Sequence, residues 1–203
     1  MQPFDTVAGP AICLPAANVD TDVIMPKQFL KGIDRSGLAR GALHDLRFDA
    51  QGRPRPDFAL NRPEWRGARF LVVGPNFGCG SSREHAVWGL LQLGIRAIIG
   101  TSFAGIFADN AANNGLLLVS LDPVQVGTLA ALAADPEWNR LTVDLPRQTI
   151  LAAGGVRVTF ELSAARKDAL VRGLDTVGTT LGRAGAIRAF EERYHAAQPW
   201  LAC

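Results

Sequence analysis

An apolar run, Arg69-Phe70-Leu71-Val72-Val73-Gly74, passes through a glycine-broken turn into a helical pattern from Ala86 to Leu93. A short apolar run closed by glycine reads as a strand, and the periodic run after it as a helix. That succession commits the chain to an α/β organisation. Between the two lies Gly78-Cys79-Gly80-Ser81-Ser82-Arg83-Glu84-His85-Ala86-Val87. Its glycines let the backbone turn sharply and approach a ligand closely. The first helical turn then offers unpaired N–H groups and a partial positive charge. With two adjacent hydroxyls and Arg83, the turn forms a polar mouth suited to an anion. The same N–H donors would favour the alkoxide of Ser81.

A plainer reading stands beside this one. Ser81 and Glu84 spell S-x-x-E, a capping box in which serine merely caps the helix. Nucleotide readings of the glycines fail on detail. A phosphate loop needs a lysine, and none lies between Lys31 and Lys167. The dinucleotide pattern would place its third glycine at Arg83, and no Gly-x-Ser-x-Gly elbow is present. The anion mouth survives, with its chemistry still open.

Elsewhere strands and helices alternate. Strands are expected at Ala11–Pro15, 69–73, 97–99, 116–119, 141–143, 148–152 and 156–161, the last two turned by Gly154-Gly155. Helices are expected over 81–93, 102–113 with Gly115 as C-cap, about 123–133, 164–172 and 175–195. Glycine, proline and arginine interleave from about 31 to 66, an irregular stretch too long to be incidental in a compact domain. The expectation is one domain over 1–203, with that substrate-loop region and a helical C-terminal extension at about 164–195.

Composition narrows the function classes. A net charge of +2 gives no field for gathering nucleic acid or a membrane surface. No apolar run approaches the ~20 residues that span a bilayer. The N-terminus shows no basic stretch followed by an apolar one, so a cytoplasmic location is expected. Cys13, Cys79 and Cys203 are widely spaced, so no metal or iron–sulfur site is expected on this chain. Cys79 reads as a small packing residue.

Four segments carry a family resemblance. Gly80-Ser81-Ser82-Arg83-Glu84-His85-Ala86 resembles the signature of the swivelling β/β/α domain of the aconitase superfamily. Asn18 to Leu30, beginning Asn18-Val19-Asp20-Thr21-Asp22, is similar to the N-terminal motif of 3-isopropylmalate dehydratase small subunits. Ser102 to Asn110 with Asn113-Asn114-Gly115, and Leu170 to Leu181, resemble that family in the same order. The likeness covers about Phe4 to Tyr194.

The resemblance implies a catalytic role for Ser81 as the base that takes a proton from substrate carbon. It implies carboxylate binding by Ser82 and Arg83, whose planar fork suits a carboxylate. It places Thr21 and Asp22 at the site, Asp22 as catalytic and Thr21 as substrate-binding. Lys31 and Arg35 are candidates for neutralising further carboxylates. Asp20 is either a turn cap or functional, and His85 is read as structural.

The implied reaction interconverts 2-isopropylmalate and 3-isopropylmalate through isopropylmaleate, in leucine biosynthesis. The implied partner is a large, [4Fe–4S] cluster-bearing subunit, and the substrate a small dicarboxylate. Related hydro-lyases acting on homoaconitate, citraconate or dimethylmalate share the scaffold. Gln28-Phe29-Leu30-Lys31-Gly32 resembles the specificity loop and favours isopropylmalate. A non-catalytic anion- or nucleotide-binding module is the reading from a different class.

Overall fold

Strand β1, Thr6–Leu14, changes partners halfway along its length. Ala11–Leu14 pair in parallel with β2, Phe70–Val73, with Ala11 beside Phe70 and Leu14 beside Val73. Thr6–Pro10 pair antiparallel with β5, Arg140–Asp144. The handover falls at Pro10, which has no N–H to give. Its carbonyl accepts from the Arg69 N–H at 2.8 Å, while the Ala11 N–H donates to Asn139 O at 2.7 Å. The strand expected at 11–15 therefore begins earlier, because Gly9-Pro10 looks like punctuation in sequence but lies within a strand.

The computed structural model describes residues 1–31 and 35–201. Gly32 of the specificity segment and Cys203 lie outside the described residues. Among those described, one seven-stranded sheet runs β4-β3-β2-β1-β5-β6-β7. Here β3 is Ala97–Gly100, β4 Leu117–Ser120, β6 Thr149–Ala152 and β7 Arg157–Thr159. β1 to β4 are parallel neighbours, and β5 to β7 an antiparallel meander. β2 and β3 are buried at every position, as expected of parallel strands covered on both faces.

Period-two alternation divides their side chains between two cores. Ile12, Leu14, Leu71, Val73 and Ile98 pack into one core. Ala11, Phe70, Val72, Ala97 and Ile99 pack into the other. Helices α3 (Glu84–Leu93) and α4 (Gly105–Asn114) bury Val87, Leu90, Phe107 and Ala111 in the first. Helix α5 (Pro123–Ala134), capped by Asp122, buries Val126, Leu129 and Ala133 in the second. Each Leu, Val or Ile side chain removed from water contributes on the order of 1.5–3 kcal/mol.

Two expectations change. Within the stretch expected at 31–66, the described residues 35–66 are built of short turns, with α2 at His44–Arg47 and 3₁₀ turns at Leu38–Arg40, Ala59–Asn61 and Pro63–Trp65. Leu38, Ala42, Leu43 and Trp65 are buried there. Its backbone is tied by side chains: Arg47 donates to the carbonyls of Ala39 and Ala42, and Asn61 to that of Arg55. At the other end, the helix expected over 175–195 is two. After α6 (Ala164–Arg172) come α7 (Thr176–Leu181) and α8 (Ala184–Ala197), divided at Gly182-Arg183. No residue of α8 is buried.

Candidate active site

The loops leaving the carboxyl ends of β1 and β2 run side by side, at the end of a parallel sheet where ligands bind in open α/β folds. Gly74 N–H donates to Leu14 O at 3.0 Å, Asn18 N–H to Pro75 O at 2.9 Å, and Gly78 N–H to Val19 O at 2.8 Å. Thr21 N–H closes the series on Cys79 O at 2.9 Å. The pairing of β1 with β2 thus continues into the loops and carries Thr21-Asp22 to Ser81. Gly78 makes this possible. It sits at φ 78°, and a Cβ there would lie 2.3 Å from the Phe107 ring.

Arg83 occupies the N-cap position of α3 and makes no side-chain capping bond. Its guanidinium reaches back instead, Nη1 donating to Asp22 Oδ1 and Nη2 to Ser81 Oγ at 3.4 Å. The Arg83 side chain is 14% exposed and that of Asp22 43%, so the pair lies at the surface of the mouth rather than inside the protein. The hydrogen bond from Arg83 holds the Asp22 carboxyl below its usual range. Partial burial opposes this, and the charges of Arg83 and Lys27 add to it.

The capping-box reading does not hold. The cap position belongs to Arg83, and Glu84 Oε1 accepts from Asn114 Nδ2 at 2.6 Å. Ser81 and Ser82 are both exposed, and no side chain caps the first-turn N–H groups of α3. The arrangement is a surface mouth in which a hydroxyl, a guanidinium and a helix N-terminus lie together, chemistry that suits an anion.

The remaining candidates separate. Thr21, expected to touch substrate, is buried, and its hydroxyl donates to Ser81 O at 3.0 Å. It clamps the signature loop from behind. Asp20 caps α1 (Thr21–Ile24), accepting from Val23 N–H at 2.8 Å. Lys31 is exposed, and the Arg35 guanidinium lies 4.2 Å from the centroid of Trp88 rather than beside Arg83. His85 packs its ring against Trp88 at 4.7 Å. Cys79 Sγ donates to Asn18 O at 3.4 Å.

Sequence reasoning missed two contributors. Lys27 acts on Asp22 through space. Asn114 joins Glu84 to Trp88, whose Nε1 donates to Asn114 Oδ1 at 2.9 Å. The run Asn113-Asn114-Gly115 carried the signal for Asn114, since Gly115 ends α4 and leaves a polar pair on its last turn.

Among the described residues, no three His, Cys, Asp or Glu side chains gather to hold a metal ion. A [4Fe–4S] cluster takes cysteine thiolates. Cys13 lies in β1 and Cys79 in the signature loop, so this donor set does not suit one. No helix of the described residues is long and apolar enough to cross a membrane.

Comparison with known proteins agrees with this fold. Residues 1–123 match the aconitase C-terminal domain family, and residues 177–202 match the C-terminal domain of the 3-isopropylmalate dehydratase small subunit. The 3-isopropylmalate dehydratase small subunit 1 of Mannheimia succiniciproducens is 53% identical over 201 residues, covering 99% of each chain. Small subunit 2 of Salmonella typhimurium is 51% identical, covering 99% of this chain and 96% of its own. A solved 3-isopropylmalate dehydratase from Methanocaldococcus jannaschii superposes with a TM-score of 0.65 at 27% identity, over 92% of this chain and 99% of that one. With both the fold and the full length matched, the chain belongs to the family of 3-isopropylmalate dehydratase small subunits, built on the aconitase C-terminal domain.

Proposed function

We propose that this chain supplies the proton-abstracting and carboxylate-binding half of the enzyme that interconverts 2-isopropylmalate and 3-isopropylmalate through isopropylmaleate, in leucine biosynthesis. The observation that carries this reading is the Arg83 guanidinium, which bridges Asp22 and the Ser81 hydroxyl at the head of α3. A cation beside a hydroxyl lowers the cost of its alkoxide. Ser81 Oγ therefore takes the proton from the carbon next to the hydroxyl-bearing one, and returns it when water adds with opposite regiochemistry. Arg83, Ser82 and the first-turn N–H groups of α3 hold a substrate carboxylate. Asp22 keeps Arg83 in place, and Thr21 holds the loop that presents Ser81. Lys31 adds positive charge to the rim, and Arg35 braces the early segment on Trp88.

The small-subunit names of the relatives support a large-subunit partner, and a [4Fe–4S] cluster held there would supply the Lewis acidity that loss of the hydroxyl calls for. The compartment assigned is the cytoplasm, where free thiols such as Cys13 and Cys79 stay reduced.

The test is reconstitution. The chain alone should be colourless and inactive on isopropylmalate, and mixing it with the cluster-loaded large subunit should give turnover. Stoichiometric iron and sulfide on the isolated chain, or no turnover in the mixture, overturns the reading. Faster turnover of homoaconitate, citraconate or dimethylmalate would reassign the substrate.

A further inference from the structure

We infer that the apolar face of α7 and α8 is the surface on which this chain docks its large subunit, an inference that rests on the function just proposed. Val177 and Leu181 lie one turn apart on α7, 64% and 65% exposed. Ile187, Phe190 and Tyr194 follow at three- and four-residue spacing on α8, which puts them on one side of that helix. The rings of Phe190 and Tyr194 stack at 5.5 Å, so the face presents an ordered aromatic ladder.

A helix of this length that buries nothing is marginal in water, since helices in proteins are held by packing of an apolar face. Contiguous exposed apolar patches of this kind mark interaction sites. The patch therefore calls for a lasting partner.

Three observations select that partner. First, the anion mouth is open and lacks half of the proposed chemistry, so the working enzyme needs a second, different chain over Ser81 and Arg83. Second, the start of α7 is tied to the end of α4, which is tied in turn to the helix that carries that mouth. Thr176, at the start of α7, donates to Asn113 Oδ1 at 3.1 Å. The neighbouring Asn114 is bonded to Glu84 and Trp88 of α3. Third, the apolar face lies outside residues 1–123, which match the aconitase C-terminal domain family. It falls in residues 177–202, which match a domain named for the small subunit, and a small subunit by that name has a large one to meet.

The experiment uses the full chain and the cluster-loaded large subunit. Phe190→Glu and Leu181→Arg should each weaken their association at least tenfold by sedimentation or surface binding. Phe190→Leu, which keeps the apolar contact, should restore most of it. Turnover at saturating large subunit should be retained, and the thermal midpoint of the isolated chain should not move. Unweakened association in both charged variants overturns the inference. So does a change confined to self-association of the isolated chain, which would make a second copy the occupant. A wild-type pair that associates but does not act on isopropylmalate would overturn the functional reading and leave the docking surface standing.

Discussion

Asn114 Nδ2 donates to Glu84 Oε1 at 2.6 Å, fastening the last residue of α4 to the first residue of α3. Its Oδ1 accepts from Trp88 Nε1 at 2.9 Å, and its Nδ2 also reaches Asn110 O at 2.8 Å. One amide thereby sets the angle at which the signature helix presents its N-terminus. Asn114→Asp removes the donor and brings a second carboxylate against Glu84. Leaving such a partly buried group unsatisfied costs ~1–3 kcal/mol, with Tm falling by ~2–4 °C per kcal/mol for a chain of this size. Thermal melts of the variant beside the unaltered chain check the loss. An unchanged Tm would contradict the assignment.

Ser81→Ala separates chemistry from structure cleanly, because Ser81 does not cap α3. In the assembled enzyme kcat should fall by at least ~10²–10⁴, the range for losing a positioned general base. Stability should stay within ~0.5 kcal/mol, as for other exposed substitutions that break no cap. Steady-state kinetics and a denaturant melt on the same preparation give the two numbers. Loss of stability with near-normal kcat would return Ser81 to a structural role.

Arg83→Lys keeps the charge and loses the bridge. The guanidinium bonds Asp22 through one nitrogen and Ser81 through another, a span that a single ammonium does not cover. Hydrogen bonds to charged groups are worth about 1.5–3 kcal/mol, so kcat/KM should drop roughly tenfold to hundredfold. An unaltered kcat/KM would move the carboxylate contact to another residue.

The pH dependence of the Asp22–Arg83 pair follows from the lowered carboxyl. The folded value lies below the ordinary 3.8, so the pair is intact at and above the ordinary carboxylate range. It is lost only as pH falls through the lower, folded value. Arg83→Gln should move the Asp22 midpoint up toward 3.8, and Lys27→Gln should move it up less, since Arg83 supplies the largest effect. A carboxyl-carbon NMR titration reads the midpoints, and a larger shift from Lys27→Gln would reverse the ranking.

Strand 70–73 was legible in sequence because four consecutive apolar residues, all buried, leave little else for it to be. Helices α4 and α5 were legible from their caps, Gly115 at φ 84° and Asp122 accepting from Val124 and Gln125. The first half of β1 was not, since Gly9 and Pro10 suit a turn until β5, far along the chain, arrives to pair with it. At the site, spacing brought Ser81 and Arg83 into view, but the Arg83–Asp22 bond spans 61 residues and depends on the loop zipper. Thr21 resembled a ligand-facing hydroxyl, and only the fold turns it inward to Ser81 O. The Glu84 side chain fitted a local cap by spacing alone and was claimed by Asn114, 30 residues away.

The excursion between Leu14 and Phe70 begins at one end of a parallel ladder and returns to the other, because β1 and β2 are hydrogen-bonded partners with Leu14 beside Val73 and Phe70 beside Ala11. Its two ends are therefore held about 11 Å apart, one strand spacing across and three residues along, whatever lies between them. The entropic cost of closing such a loop grows only with the logarithm of its length, ~0.6 kcal/mol per doubling. Residues can be added, deleted or exchanged in its exposed turn at 50–57 while the strands keep register, and the pairing that carries Asp22 to Ser81 stays as it was. In evolutionary terms the sheet is a socket, and what is plugged into it can be exchanged without rebuilding the ladder beneath.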